Sequence, residues 1–276
     1  MNRRLTNAIA IGVLWLAALS TVLILGTILG YIVINGIGSL TPRFVFTAPR
    51  GVNAEGGIGP TIVATLYVSS LAMLIVAPVA ILAAVYLAEY AAQGRLVRVI
   101  RFAADSLASV PSIVMGLFGL ALFVEGLGLG FSVLSGALAL SILMLPIVMR
   151  TTEEAIRSVP KYIRWGSYGL GATKWQTVSR VVLPSALPRI ITGIILATGR
   201  AAGETAVVIF TMGTALNLPL SPLSPGRSMP VHLMILSMEG INLPSAYGTA
   251  LLLVLMILAF NLAARLVVRK NRRMQG

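Results

Sequence analysis

Ile190–Met212 reads IITGIILATGRAAGETAVVIFTM, 23 residues that are apolar or small and uncharged except for Arg200 and Glu204. About 20 such residues in a helix cross the hydrocarbon of a bilayer. An arginine near the middle costs roughly 2.5–3.5 kcal/mol on insertion scales, so an ionisable pair there marks function or a defined contact. Reading this stretch as a span sets the class of the whole chain, because five more runs share its character. They are Ala8–Ile34, Thr61–Leu87, Ser106–Val124, Gly126–Met149 and Gly240–Ala264. Backbone groups in hydrocarbon must pair internally, and no run alternates like a barrel strand. The expectation is an all-α membrane protein, one domain over residues 1–276 with six transmembrane helices.

Composition agrees. Of 276 residues 57% are hydrophobic and 11% charged, and the net charge is +13. A soluble domain carries about 25% charged residues, and a disordered chain lacks apolar ones. A basic chain of pI near 11.2 would ordinarily suggest nucleic acid, but this one has little soluble surface on which to gather its bases, so no nucleic acid is expected. Cysteine is absent, which removes disulfides and thiolate metal sites. The first apolar run is longer than the roughly 7–15 residues of a signal h-region and is read as an uncleaved span.

Six spans put both termini on one side and divide the charges. One side holds 17 basic residues, among them Arg3, Arg4, Arg95, Arg98, Arg101, Arg150 to Arg189 and the tail through Arg273; the other holds Arg43, Arg50 and Arg227. The positive-inside rule makes the first side cytoplasmic, with both termini there, in the cell membrane. Arg200 and Glu204 cancel inside the span.

The cytoplasmic loop between the fourth and fifth spans, about 150–189, is the unusual connection. Past Gly171, residues Trp175, Val178 and Val182 fall on one helical face, with Thr173, Thr177 and Arg180 on another, and Pro184 is expected to end the helix. Such a helix fits docking to a cytoplasmic protein and fits equally a rest on anionic lipid. On the outer side, Asn35–Pro60 is long enough to hold structure. Gly213–Glu239, with Pro219, Pro222, Pro225 and Pro230, is expected to form a re-entrant or interfacial element.

The loop resembles the cytoplasmic signature of ABC-importer permeases, E-A-A, three residues, G, nine residues, I-x-L-P. Gly171 is followed by nine residues and then by Val181-Val182-Leu183-Pro184; the E-A-A positions fall on Trp165, Gly166 and Ser167, so tryptophan replaces the signature glutamate. Thr152–Pro160, Val110–Leu117 (VPSIVMGL) and Gly199–Ala206 (GRAAGETA) resemble elements of the phosphate-specific branch, and with Met229-Pro230-Val231 they resemble its PstA-type subunit. The resemblance implies a MetI-like permease fold with a cytoplasmic coupling helix, no cofactor and no catalysis. It also implies a PstC-type partner permease, a PstB-type ATPase homodimer, a PstS-type binding protein and inorganic phosphate as cargo. Trp165, Gly166, Ser167, Gly171, Ala172, Thr173, Trp175, Leu183 and Pro184 are then the residues expected to couple to the ATPase.

Arg200 and Glu204 are spaced i, i+4, and Gly199 and Gly203 form a small-xxx-small pair that admits a neighbouring helix, so an ion pair facing the bundle interior is expected. That pair either fixes packing or lines an anion path, for which arginine's planar fork suits phosphate oxygens. Ser112 is a further candidate donor on the path. His232, the one histidine, reads as a loop or interface residue; Asp105 is expected to pair with Arg101 or Arg98; Pro78, Pro111 and Pro146 are expected to kink their spans. No P-loop string is present, so ATP hydrolysis belongs to another subunit. Transport of another oxyanion (sulfate, molybdate or tungstate) and a membrane scaffold or sensor docking a regulator are the competing functions.

Overall fold

The apolar runs become helices whose ends fall where glycine, proline or a capping side chain interrupts them. In the computed structural model, which describes residues 3–50, 55–92 and 94–272, α1 (Arg3–Gly36) leads into the first long loop. This loop holds α2 (Pro42–Phe46) and the antiparallel pair β1 (Pro49–Arg50) and β2 (Glu55–Gly56). Thr41 Oγ1 caps α2 by accepting the Phe44 N–H at 3.2 Å, and Pro42 sits in the first turn, where its missing donor costs nothing. Next come α3 (Gly59–Val85), a π-helical turn at Tyr86–Tyr90, α4 (Arg95–Ser109), and α5 (Ser112–Gly119) with a π-helical continuation to Gly126. After α6 (Val133–Arg157) come α7 (Lys161–Gly169) and α8 (Lys174–Thr177). The chain ends with α9 (Leu183–Ala202), α10 (Ala206–Thr211), α11 (Met229–Glu239) and α12 (Leu243–Arg272). Arg273 lies outside the described residues.

The third span is not one straight helix. A proline ring pushes the residue before it out of the helical region, and Val110 accordingly adopts φ −66°, ψ 130°. As a result α5 leaves α4 at 98°, and the two form a bent pair. With that pair, the described residues contain six stretches long and apolar enough to cross a membrane, the others being Ala10–Ser39, Gly59–Tyr90, Val133–Arg157, Lys174–Ala202 and Leu243–Val267. Pro78 and Pro146 do not have the same effect. Both α3 and α6 run on through them, since one lost hydrogen bond is tolerated where neighbouring helices pack on the site.

Packing centres on α3 against α6. Ala64, Val68, Ala72, Val76, Ala80 and Ala84 recur every four residues along α3 and are fully buried or nearly so against Val133, Ala137, Leu140, Met144 and Val148. In lipid no hydrophobic gain draws helices together, so such a stripe of small residues supplies close van der Waals contact instead. The first long loop is tied down by a second cluster of Phe44, Ile58 and Met229, and the Met229 N–H donates to Thr65 Oγ1 of α3 at 2.8 Å. This contact seats α11 on the bundle. Of the proline-rich segment Gly213–Glu239, Met229–Glu239 forms a short helix with its first turn buried.

Candidate translocation path and cytoplasmic docking surface

The span that begins at Lys174 ends as a helix at Ala202, not at Met212. Gly203 and Glu204 turn their amides back to the Arg200 and Ala201 carbonyls, both at 3.1 Å, a tight final turn that breaks the helix before α10 begins. The expected i, i+4 geometry of Arg200 and Glu204 is thereby lost. Neither side chain forms a hydrogen bond or ion pair among the described residues. Arg200 is exposed on the last turn of α9 and faces away from the core of its own subunit, while Glu204 is half-buried in the break. Of the two glycines, Gly199 makes the close approach: a Cβ there would stand 3.3 Å from Phe260 Cβ of α12, whereas Gly203 has no contact nearer than 3.5 Å.

Ser112 opens α5, half-buried, one turn before Gly116 and on the same face. Gly116 is where α5 crosses α10; a Cβ there would lie 2.7 Å from the Ala206 carbonyl oxygen and 2.9 Å from the Phe210 ring. Ser112, the α9–α10 break and Glu204 are thus brought to one region by a glycine that lets two helices touch. Sequence reasoning singled out Ser112 but not Gly116, although both lie in the string VPSIVMGL.

At the end of the bundle that carries the long connection between α6 and α9, α7 and α8 form a hairpin. Gly171 turns it at φ +83°, a backbone region that side chains other than glycine's enter at a cost of about 1–2 kcal/mol. Thr173 and Gln176 cap α8 reciprocally, Gln176 N–H to Thr173 Oγ1 at 3.3 Å and Thr173 N–H to Gln176 Oε1 at 2.9 Å. The T-x-x-Q string that signals such a box is legible in sequence and was missed. Ser167 and Thr177 join the two helices by a hydroxyl bond of 2.9 Å. Thr177, Val178 and Val182 are buried, whereas Trp175 is 67% exposed, so the expected face of Trp175, Val178 and Val182 does not exist. A π-helical turn at Val178–Val182 shifts the register there. It also explains why Pro184 fails to end the helix. Leu183 N–H bonds to Val178 O, and Pro184, lacking a donor, sits in the first turn of α9 beside the half-buried Leu183. Tyr162, Trp165 (68% exposed), Tyr168, Leu170 (91%) and Trp175 leave an apolar, aromatic outer surface; Gly166 is exposed and Ala172 partly so.

Behind that surface the hairpin is anchored by a contact the sequence did not reveal. Arg164 Nε and Nη2 reach Glu89 Oε1 at 3.1 and 2.6 Å, and its Nη1 and Nη2 donate to the Val159 and Ile156 carbonyls at 2.6 and 2.9 Å. The pair lies 75 positions apart in the chain, beyond any local spacing rule. Lys174 adds a cation–π contact, 5.0 Å above the Tyr90 ring. A further network joins α4 to α6: Arg101 and Arg157 each hold Glu153 at 2.8 Å, and Arg150 holds Asp105 at 3.1 Å. Asp105 therefore pairs across helices, not with Arg101 or Arg98 of its own, because Glu153 and Arg150 face α4 directly.

Residues 77–273 match the family described as Binding-protein-dependent transport system inner membrane component. The chain belongs to that family. The permease is 39% identical to a probable ABC transporter permease protein, YqgI, of Bacillus subtilis, with 96% of each chain covered. It is 35% identical to the phosphate transport system permease protein PstA 1 of Mycobacterium tuberculosis, over 99% of this chain and 92% of that one. Its fold is that of solved importer permeases. A bacterial alginate ABC transporter superposes with TM-score 0.65 at 17% identity, covering 97% of this chain and 98% of that one. The MetNI methionine transporter does so with TM-score 0.62 at 20% identity, covering 78% and 94%. The permease is therefore a multi-pass inner-membrane transport component with the MetI-like fold.

Proposed function

We propose that this permease is the PstA-type subunit of an ATP-driven importer of inorganic phosphate. The near-full-length likeness to phosphate transport permeases supports the cargo, and one observation gives it chemistry. Arg200 presents an exposed guanidinium near the α9–α10 break that no other described residue bonds. A second permease of PstC type facing that surface would enclose a path between the two subunits, with Arg200 in its wall. The planar fork of arginine offers two parallel donors to phosphate oxygens. Glu204, nearby but not bonded to it, keeps the anion from being held too tightly, and Ser112 adds a neutral donor.

At the other end, Trp165, Trp175, Leu170 and their aromatic neighbours dock a separate ATPase of PstB type. The Glu89–Arg164 anchor carries its closure into the helix that follows α3. Gly166, Ser167, Gly171, Ala172, Thr173, Leu183 and Pro184 shape this hairpin. The distribution of basic residues supports cytoplasmic termini, which puts the hairpin inside and α11 outside, where a PstS-type binding protein delivers phosphate.

The test is co-expression with the candidate partners, purification, and ATP hydrolysis with and without phosphate-loaded binding protein, followed by uptake into vesicles with sulfate and molybdate as competitors. Arg200→Gln and Arg200→Lys complexes that assemble are expected to lose most uptake. Wild-type uptake in both would remove Arg200 from the path, and failure to co-purify any ATPase would end the importer reading.

A further inference from the structure

His232, the one histidine of the chain, is completely buried in α11. Its Nδ1 lies 3.4 Å from Arg227 Nη1, and its Nε2 has no partner among the described residues. Burial and the adjacent guanidinium push its pKa down to about 4, so the ring is neutral at physiological pH. A neutral ring that accepts at Nδ1 carries its proton on Nε2.

What the imidazole does in the structure is hold Arg227. On a second side, Arg227 Nε donates to the Thr214 carbonyl at 2.8 Å. Both restraints act through Nε and Nη1; Nη2 has neither a hydrogen bond nor an ion pair among the described residues. The guanidinium, half-buried, lines a cavity of about 720 Å³ together with Ile209, Thr214, Met234 and Glu239. Glu239 is close enough to act on Arg227 electrostatically, yet it forms no ion pair among the described residues. Ile209 is in α10, five residues beyond Glu204, so the cavity stands one or two helical turns further out than the α9–α10 break. The arrangement repeats the pattern at Arg200, an arginine without a bonded carboxylate and an acid nearby.

We propose that Arg227, oriented by His232 and the Thr214 carbonyl, is an oxyanion-receiving site at the outer mouth of the path, which takes the tetrahedral anion before it reaches Arg200. His232 is a positioning residue. The proposal rests on the phosphate-permease reading. A guanidinium held at Nε and Nη1 presents its Nη2 donors without first being ordered, and a cavity of about 720 Å³ is large enough for a hydrated oxyanion.

The experiment uses the complete importer in proteoliposomes, with labelled phosphate delivered by the binding protein and its concentration titrated. Arg227→Gln is expected to lower maximal uptake about tenfold or more at an unchanged half-saturating concentration of loaded binding protein. His232→Leu is expected to lower it several-fold. His232→Asn, whose side-chain oxygen takes roughly the place of Nδ1, is expected to restore it. Wild-type maximal uptake by Arg227→Gln overturns the proposal. So does a defect confined to the half-saturating concentration, which would make Arg227 a docking contact for the binding protein. A His232→Asn complex as impaired as the His232→Leu complex overturns the role of His232. If Arg227→Gln does not assemble, Arg227→Lys decides the matter, reduced uptake supporting the site and wild-type uptake overturning it. A wild-type complex that moves no phosphate refutes the parent reading instead.

Discussion

Glu89→Gln removes the charge that fastens the α7–α8 hairpin while preserving its shape. The Arg164 and Glu89 side chains are 15% and 9% exposed, so the substitution leaves a nearly buried guanidinium without its counter-charge. Breaking a buried pair from one side costs about 3–5 kcal/mol. Arg164 retains its bonds to the Val159 and Ile156 carbonyls, which places the expected loss at the lower end, about 3 kcal/mol. At 1.4 kcal/mol per tenfold, that is roughly a hundredfold rise in the undocked population of α7. The assay is hydrogen exchange of the α7 amides in the assembled complex, together with stimulation of ATP hydrolysis by loaded binding protein. Faster exchange confined to α7 and α8 and a lost stimulation over an intact basal rate are expected. Glu89→Gln combined with Arg164→Gln should be less harmful than the sum of the two single changes, because no charge is then left unpaired. Wild-type exchange and stimulation in Glu89→Gln would refute the anchor.

Three further outcomes follow from the packing and the charges. Gly116→Ala places a Cβ 2.7 Å from the Ala206 carbonyl oxygen and is expected to lower stability by about 1–3 kcal/mol. Gly166→Ala, which meets nothing within 4 Å, should leave it unchanged, and thermal unfolding in detergent compares them. Trp165→Ala with Trp175→Ala should abolish co-purification of the ATPase while expression and membrane insertion of the permease persist; undiminished co-purification would move the docking surface elsewhere. Because the folded pKa of His232 is lowered to about 4, the unfolded chain binds its proton first. Stability is therefore fully present above the ordinary histidine range and falls as pH drops from about 6.5 toward 4. Melting temperature measured across that interval should decline in the wild type and decline less in His232→Asn.

Much of the candidate path and of the α7–α8 hairpin is legible in the chain because the signals are local. An arginine and a glutamate in an apolar run stand out whatever surrounds them, and the glycine-to-proline spacing of the cytoplasmic loop needs only counting. Local rules then overreached in the same places. The i, i+4 spacing of Arg200 and Glu204 presumes a continuous helix, and the helix ends two residues after Arg200. The amphipathic face drawn through Trp175, Val178 and Val182 presumes a regular period of 3.6, and a π-helical turn changes the period within it. Pro184 fails as a terminator for the same reason, whereas Pro111 succeeds because no such turn relieves it.

Sequence alone determined the solvent, and with it the class. Without water to hydrogen-bond, a chain with six apolar runs of this length, five of them uncharged, folds as helices, and the imbalance of 17 bases against three sets the expected orientation. Tertiary structure decided which charged groups meet. Glu89 with Arg164, Asp105 with Arg150, and Arg227 with His232 depend on where one helix crosses another or how an outer loop folds back, and no local period encodes that. It also left Arg200 without a hydrogen bond or ion pair among the described residues, which its neighbours in sequence did not foretell.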